Sequence, residues 1–321
     1  MLRGCHEIMS QRVGVVGCGR WGSKHLRALG HLAQEADIEC IVACDVHPMA
    51  LARIRDDRVL LHDDPYTLVE QFNLDSVIVA TPNETHYELG TMFLNNGVDV
   101  FLEKPIATTF DHASLLVSTS IHQGKTLKSG FLLRFHPCIV DARTQIRLGR
   151  IGAIQSIRYS KNVQRQGDDS SHALDTLAIH GIDLAEFLLD GQTPLRISEV
   201  VGSRTSCALT LEYPNQVEIS IDVGWEAEAD VAELEVIGRN GRILVQLQQH
   251  EKYEVLKDYS AIQLVQSNHT PLEAVLLDFL RPDSVSIATS TGSILRTIKC
   301  VEQARLQLTA QGRSKTRELK R

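Results

Sequence analysis

Lys104 ends the run Val98-Asp-Val-Phe-Leu-Glu-Lys-Pro105, and its position gives it the most chemistry to offer. The β-branched and aromatic residues of that run read as a buried strand, and Pro105 stops it because proline cannot donate to a sheet ladder. Glu103 and Lys104 therefore stand at the carboxyl end of a central strand, which is where open α/β sheets bind ligands. A lysine there can serve as a cationic anchor or a proton donor, and a solvated lysine at a strand end is the competing interpretation. A second constellation lies near the start. Gly17-Cys-Gly-Arg-Trp-Gly22 directly follows the short strand Arg12–Val16, and helical periodicity runs on from Ser23 to Leu32. In that context G-x-G-x-x-G cradles a pyrophosphate: Gly17 permits the turn, Gly19 lets the backbone approach, and Gly22 allows close helix–strand packing. The new helix then offers free N–H groups and its positive dipole end to the phosphates. Asp45 closes the strand Ile38–Cys44, about twenty residues beyond the glycines, as a ribose-binding carboxylate should. It would accept from a ribose 2′-hydroxyl and repel a 2′-phosphate. Val46 and His47 follow it with no arginine or lysine, so the cofactor expected is NAD rather than NADP. A helix cap before Pro48 is the other use for Asp45.

The elements that must hold these residues alternate. Pro65–Asn73 reads as a helix, Asp75–Ala80 as a buried strand, and Thr81-Pro82-Asn83 as a turn with Asn83 capping a helix that reaches Asn96. His86 falls in that helix's first turn, facing the same strand ends as Lys104; alone it also reads as an exposed helical residue. The Thr108–Gln123 helix and the Lys125–Gly130 strand complete a βαβ series. After Gly130 the character changes. Phe131–Pro137 leads into a helix ending near Gly149, Ala153–Lys161 alternates as a strand, Gln164–His172 is a polar loop, and a helix runs from about Asp175 to Leu189. From Arg196 to about Gln266 short strands repeat, with a hairpin at Val236–Val245 turned by Asn240-Gly241. Helices return at Leu272–Leu280 and Gly292–Thr309. The fold expected is α/β: a Rossmann domain over residues 1–130, and an α+β substrate-binding and oligomerisation domain over 131–321 with a large, mainly antiparallel open sheet. The last helices could pack back on the first domain.

Composition narrows the function. A chain of 321 residues with 43% hydrophobic and 23% charged residues belongs with ordinary two-domain proteins. Its net charge of −7 argues against a nucleic-acid partner, and the basic stretch Arg313–Arg321 reads as a solvated tail. No apolar run approaches the ~18 residues of a membrane span, so no membrane partner is expected. Residues 1–11 lack the apolar segment of a signal peptide, which points to the cytoplasm. Met9 is an alternative start that would make the first eight residues dispensable. Seven cysteines are scattered without a C-x-x-C pair, so reduced thiols are expected and no metal site.

Gly17-x-Gly19-x-x-Gly22, Asp45, Ala80-Thr-Pro-Asn-x-x-His86, Glu103-Lys-Pro105, Arg134 and Leu177-Ala-Ile-His-Gly-Ile-Asp183 together resemble the glucose–fructose oxidoreductase / inositol dehydrogenase family (Gfo/Idh/MocA). Phe131–Pro137 and the Leu-Ala-Ile-His run look most like members acting on UDP-N-acetylhexosamines. The resemblance implies a two-domain dehydrogenase that binds NAD through Gly17, Gly19, Arg20, Trp21, Gly22, Asp45, Thr81, Asn83, His86, Glu103 and Lys104. It implies a sugar or nucleotide-sugar substrate held by Lys104, Arg134, His136 and His180. Carried over, Lys104 polarises the reacting hydroxyl and His180 takes its proton. An imidazole titrating near neutrality suits that transfer, and an ammonium stabilises alkoxide charge as it develops. Taken alone, His180 between Ile179 and Ile182 reads as a packed core histidine. The family places an aspartate four residues before this histidine; here that residue is Thr176, with Asp175 next door. On an ideal helix a residue five before His180 is rotated roughly 140° away. Thr176 can orient the ring but supplies no charge. His136 stands where relatives often carry asparagine. The resemblance leaves a catalytically silent NAD- and sugar-binding regulator, an NAD-dependent glycosidase, and reductases of non-sugar substrates as alternatives. A homodimer or homotetramer through an apolar outer face of the second sheet is also expected.

Overall fold

Strands whose residues are apolar on both faces need cover on both sides, and the first sheet is built of such strands. Ser76–Val79 (β4) is buried throughout, as are the last three residues of Asp99–Leu102 (β5). The structure, a computed structural model, describes residues 10–167, 172–257, 260–281 and 290–318. The expectations about Met1, Met9, residues 168–171 of the polar loop and the end of the basic tail lie outside them. The chain divides into two units. One runs through Gly130 and takes in Leu272–Thr291; the other comprises Phe131–Pro271 and the chain from Gly292 on.

In the first unit the elements are β1 (Gln11–Val16), α1 (Arg20–Leu32), β2 (Ile38–Cys44), α2 (Pro48–Leu51), β3 (Val59–His62), α3 (Leu68–Phe72) and β4. After β4 come α4 (His86–Asn95), β5, α5 (Phe110–Gln123) and β6 (Leu127–Ser129). The six strands pair in the order β3-β2-β1-β4-β5-β6, all parallel. This is the doubly wound Rossmann order, and it turns over between β1 and β4. β3 was not anticipated: four residues between charged turns carry too short a pattern to show a period. The Thr81–Asn83 turn also differs, because a single 3₁₀ turn, Asn83–Thr85, precedes α4 and no side chain caps it.

In the second unit α6 (Pro137–Arg147) precedes β7 (Ile154–Val163), and α7 (Ile179–Leu188) follows a π turn at Leu174–Ala178. Seven strands come next: β8 (Arg196–Gly202), β9 (Ser206–Glu212), β10 (Glu218–Trp225), β11 (Val231–Gly238), β12 (Gly241–Gln246), β13 (Lys252–Leu256) and β14 (Ser260–Leu264). Two helices close the chain, α8 (Pro271–Leu280) and α9 (Thr291–Glu318), and most of α8 belongs to the first unit. The eight-stranded sheet runs β14-β13-β12-β11-β7-β10-β9-β8 and is antiparallel except where β10 lies parallel to β7. The hairpin turn is one residue earlier than its Asn-Gly pair suggests: Gly238 pairs with Gly241, so Arg239 and Asn240 form the loop.

Alternation gives this sheet one apolar face, carrying Tyr159, Ile219, Ile221, Leu234 and Val236, all buried. α7 lies close against it, since a Cβ at Gly181 would stand 2.7 Å from Tyr159. The opposite face carries Arg158, Glu235 and Arg242 in one ion-pair chain (3.2 and 3.0 Å) and Asn162 bonded to Asp222. That face mixes these charges with the half-buried Ile237 and Leu244, and its exposed apolar side chains stand on the two edge strands, Val201 on β8 and Ile262 and Leu264 on β14, so the apolar patch expected there is interrupted at its centre.

Candidate active site

A parallel sheet delivers the loops after its strands to one edge, so Gly17, Asp45, Thr81 and Glu103-Lys104 share an edge in the first unit. Gly17 has φ +88°, and a Cβ there would press within 2.8 Å of the Ala80–Thr81 backbone. At Gly22 a Cβ would lie 1.8 Å from the Gly17 carbonyl oxygen. A Cβ at Gly19 would meet nothing within 4 Å, so the backbone there is open to an approaching phosphate. Gly19 is also the N-cap of α1 and has no side-chain cap bond, leaving the helix end to an external acceptor. Arg20 and Trp21 open that helix; the Lys24 ammonium lies 4.4 Å from the Trp21 ring centroid. The Asp45 carboxylate is fixed by backbone donors, Cys18 N–H at 2.7 Å on Oδ2 and His47 N–H at 2.8 Å on Oδ1. Loop and carboxylate fit a dinucleotide.

Two residues expected at the cofactor are buried and engaged within the unit. His86 is fully buried, with Nδ1 2.8 Å from the Pro105 carbonyl oxygen and Nε2 2.9 Å from that of Thr81. A neutral imidazole has one N–H, and burial holds this ring below its usual pKa despite both carbonyls, so a single donated bond ties the two loops. Glu103, 5% exposed, turns inward to His25 at 2.8 Å. Lys104 is 8% exposed and is joined to Pro105 by a cis peptide. Thr81 shares a 2.6 Å hydroxyl contact with Thr85, and Asn83 stands half-buried in the 3₁₀ turn.

In the second unit His180 is half-buried as the second residue of α7. The turn before it is not an ideal helix: Ile179 N–H bonds to Leu174 O, an i→i+5 closure. One extra residue in the turn brings Asp175, five before His180, back toward the histidine's face. The Asp175 carboxylate pairs with Arg305 of α9, and the Thr176 hydroxyl donates to the His172 carbonyl. Arg134, expected to meet substrate, is 3% exposed and engaged within the unit. Its Nε reaches Asp183 Oδ2 at 2.9 Å, and its Nη2 reaches Asp183 Oδ1 at 2.7 Å, Glu186 at 2.6 Å and Ser293 at 2.6 Å. Burial pushes the Asp183 carboxyl up to about 6 against the pull of Arg134. Glu186 also pairs with Arg296. Asp183 and Glu186, three apart in a helix whose remaining residues, His180 aside, are apolar or glycine, were the available signal for this cluster.

His136 is buried as well. It is 1% exposed, and its ring packs edge-on to His250 with centroids 4.8 Å apart. Burial, then the charge of His250, lowers its pKa from 6.5 to about 4. The fold therefore favours the neutral ring: the stability this contributes is full above pH 6.5 and is lost as pH falls from there toward 4. Wild type should lose about 2–3 kcal/mol more than His136→Asn between pH 7.5 and pH 4 in urea unfolding. Parallel losses would show that this histidine titrates normally.

A Rossmann sheet with an open glycine loop before α1, a carboxylate held by backbone donors after β2 and a lysine just beyond β5 has the form of an NAD-binding oxidoreductase domain. The chain belongs to the Gfo/Idh/MocA family: residues 11–131 match its model for the oxidoreductase family NAD-binding Rossmann fold, and residues 139–244 its C-terminal domain. It is 28% identical over 228 residues to inositol 2-dehydrogenase 2 of Saccharopolyspora erythraea, covering 67% of each chain. It is 26% identical over 277 residues to scyllo-inositol 2-dehydrogenase (NAD(+)) of Bacillus subtilis, covering 78% of this chain and 77% of that one. In fold it is similar to UDP-N-acetylglucosamine 3-dehydrogenase GnnA from Acidithiobacillus ferrooxidans, with a TM-score of 0.80 at 18% identity over 94% and 99% of the two chains. Among the described residues no helix is long and apolar enough to cross a membrane.

Proposed function

We propose that this chain is an NAD-dependent dehydrogenase that oxidises a ring hydroxyl of a cyclitol, sugar or nucleotide sugar. The observation that carries the reading is Lys104, buried at the end of β5 on the same sheet edge as the glycine cradle. The inositol dehydrogenases among its relatives support the polyol class, and the similarity in fold to a nucleotide-sugar enzyme keeps UDP-N-acetylhexosamines in view. When bound, NAD supplies the hydride acceptor. Gly17, Gly19, Gly22 and the first N–H groups of α1 hold its phosphates, and Asp45 holds the ribose diol. Thr81 and Asn83 belong to the loop beside the cradle. Lys104 binds the reacting hydroxyl and stabilises its developing negative charge. His180 accepts the hydroxyl proton, with Asp175 and Thr176 on the turn that orients it.

A silent NAD- and sugar-binding homologue is the second reading. Thr176 in the family aspartate's position favours it, as does the engagement of Asp175 with Arg305. Mass spectrometry of the copurifying ligand, followed by an NAD-reduction screen over inositols and UDP-sugars, separates the two. NADH formation with at least one polyol is expected, whereas thermal stabilisation by ligands without turnover selects the silent form. Free sugar released without net NADH selects a glycosidase. The proposal includes a homodimer or homotetramer through the outer face of the second sheet, where Val201, Ile262 and Leu264 are exposed. Light scattering of the same preparation at micromolar concentration tests it, and a monomer excludes it.

A further inference from the structure

Glu103 ends its ladder with an N–H bond to Val79 O at 2.9 Å, and its side chain then folds under the strand ends. Oε1 meets His25 Nε2 at 2.8 Å, and Oε2 accepts the N–H of Lys104 at 3.2 Å. The carboxylate also fills the space beside Gly130, where a Cβ would stand 2.7 Å from Oε2. Burial pushes this carboxyl up, yet the His25 bond and the charges of His25 and Lys104 more than offset it, and the net direction is down. Glu103 is therefore ionised, and His25 Nε2 donates to it in a charge-assisted bond that a buried carboxylate requires. The imidazole is itself set in place, edge-on to Phe101 with centroids 5.5 Å apart. On the other flank of Lys104, the Pro105 carbonyl meets His86. The residues before and after the lysine are thus each gripped by a buried imidazole, one from α1 and one from α4.

We propose that His25 is a positioning residue: through its buried bond to Glu103 it fixes the peptide that carries Lys104. The inference rests on the reading of Lys104 as the cation that meets the substrate hydroxyl. Its consequence is mechanical. α1 presents its first N–H groups to the phosphates, and six residues on, about 9 Å along the axis, the same helix holds the lysine's segment. Cofactor and lysine are then registered by one rigid element, and a shift of about 1 Å in such registration can lower a rate about 100-fold.

The test compares His25→Leu, which cannot donate, with His25→Gln, whose Nε2 can reach Glu103, and with Glu103→Gln, which keeps the shape and loses the charge. Turnover is measured with myo-inositol or UDP-N-acetylglucosamine, whichever is oxidised, per NAD-binding site counted by calorimetry. His25→Leu and Glu103→Gln should lower kcat about 10- to 100-fold with the Kd for NAD within about 2-fold, and His25→Gln should restore kcat to within about 3-fold of wild type. Amide hydrogen exchange of the 101–107 segment, which needs no substrate, should quicken in His25→Leu and Glu103→Gln and not in His25→Gln. Unchanged kcat per site, unchanged exchange, or a glutamine variant as impaired as leucine overturns the proposal. If His25→Leu does not fold, Glu103→Gln and His25→Gln decide by the same criteria. Lys104→Met is the control: should it keep turnover, the reading of Lys104 falls, whereas a dead Lys104→Met beside a fully active His25→Leu removes only His25.

Discussion

Arg134→Met is expected to destabilise the second unit by about 3–5 kcal/mol, because it leaves two buried carboxylates without their shared cation. Asp183 and Glu186 stand on one face of α7, and Arg134 answers both while also donating to Ser293 at the start of α9. Removing the guanidinium takes away hydrogen bonds in a site without solvent, and the carboxylates keep their desolvation cost. Adding Asp183→Leu should recover most of the loss, since replacing a buried pair with apolar residues of similar size is often close to neutral. Glu186 would still be met by Arg296. Trp225 lies buried in this unit, so its fluorescence in a Trp21→Phe background follows the relevant transition in denaturant. A loss below about 1 kcal/mol would mean that the cluster is solvated and Arg134 is available to a ligand after all.

The contrast between Arg134 and Asp45 shows what a sequence can reveal. The position of Asp45 is marked by features near in the chain: a strand of seven residues, a glycine motif at the standard offset, and a turn in which His47 N–H bonds back to the carboxylate. The same holds for β1, α1 and β5, where period and punctuation agree. The partners of Arg134 were not legible, because they lie 49, 52 and 159 positions away and no spacing rule brings them together. His25 was passed over for the same reason, being paired across 78 positions with a residue expected to face the cofactor. The π turn before His180 escaped because one widened turn leaves the run of apolar residues almost unchanged. It alters only which residue shares the histidine's face.

That face decides the last expectation. Lys104→Met and His180→Ala should each lower kcat by about 10²–10⁴ while leaving the Kd for NAD within about 2-fold, because the first removes charge stabilisation and the second the proton acceptor. A single oriented base is worth that much only if its ring is held, and the carboxylate able to hold it is Asp175 rather than anything at position 176. The i→i+5 closure at Leu174 turns Asp175 back toward the histidine, and Arg305 pins that carboxylate from α9. Asp175→Asn should therefore lower kcat about 10-fold, as the loss of an orienting partner would. Thr176→Val, losing only a bond to the His172 carbonyl, should change kcat less than 3-fold. Near-full turnover in His180→Ala would show that another group takes the proton. Equal effects at 175 and 176 would show that the turn closes as an ordinary α-helix in solution, and that the carboxylate has no part in orienting the base.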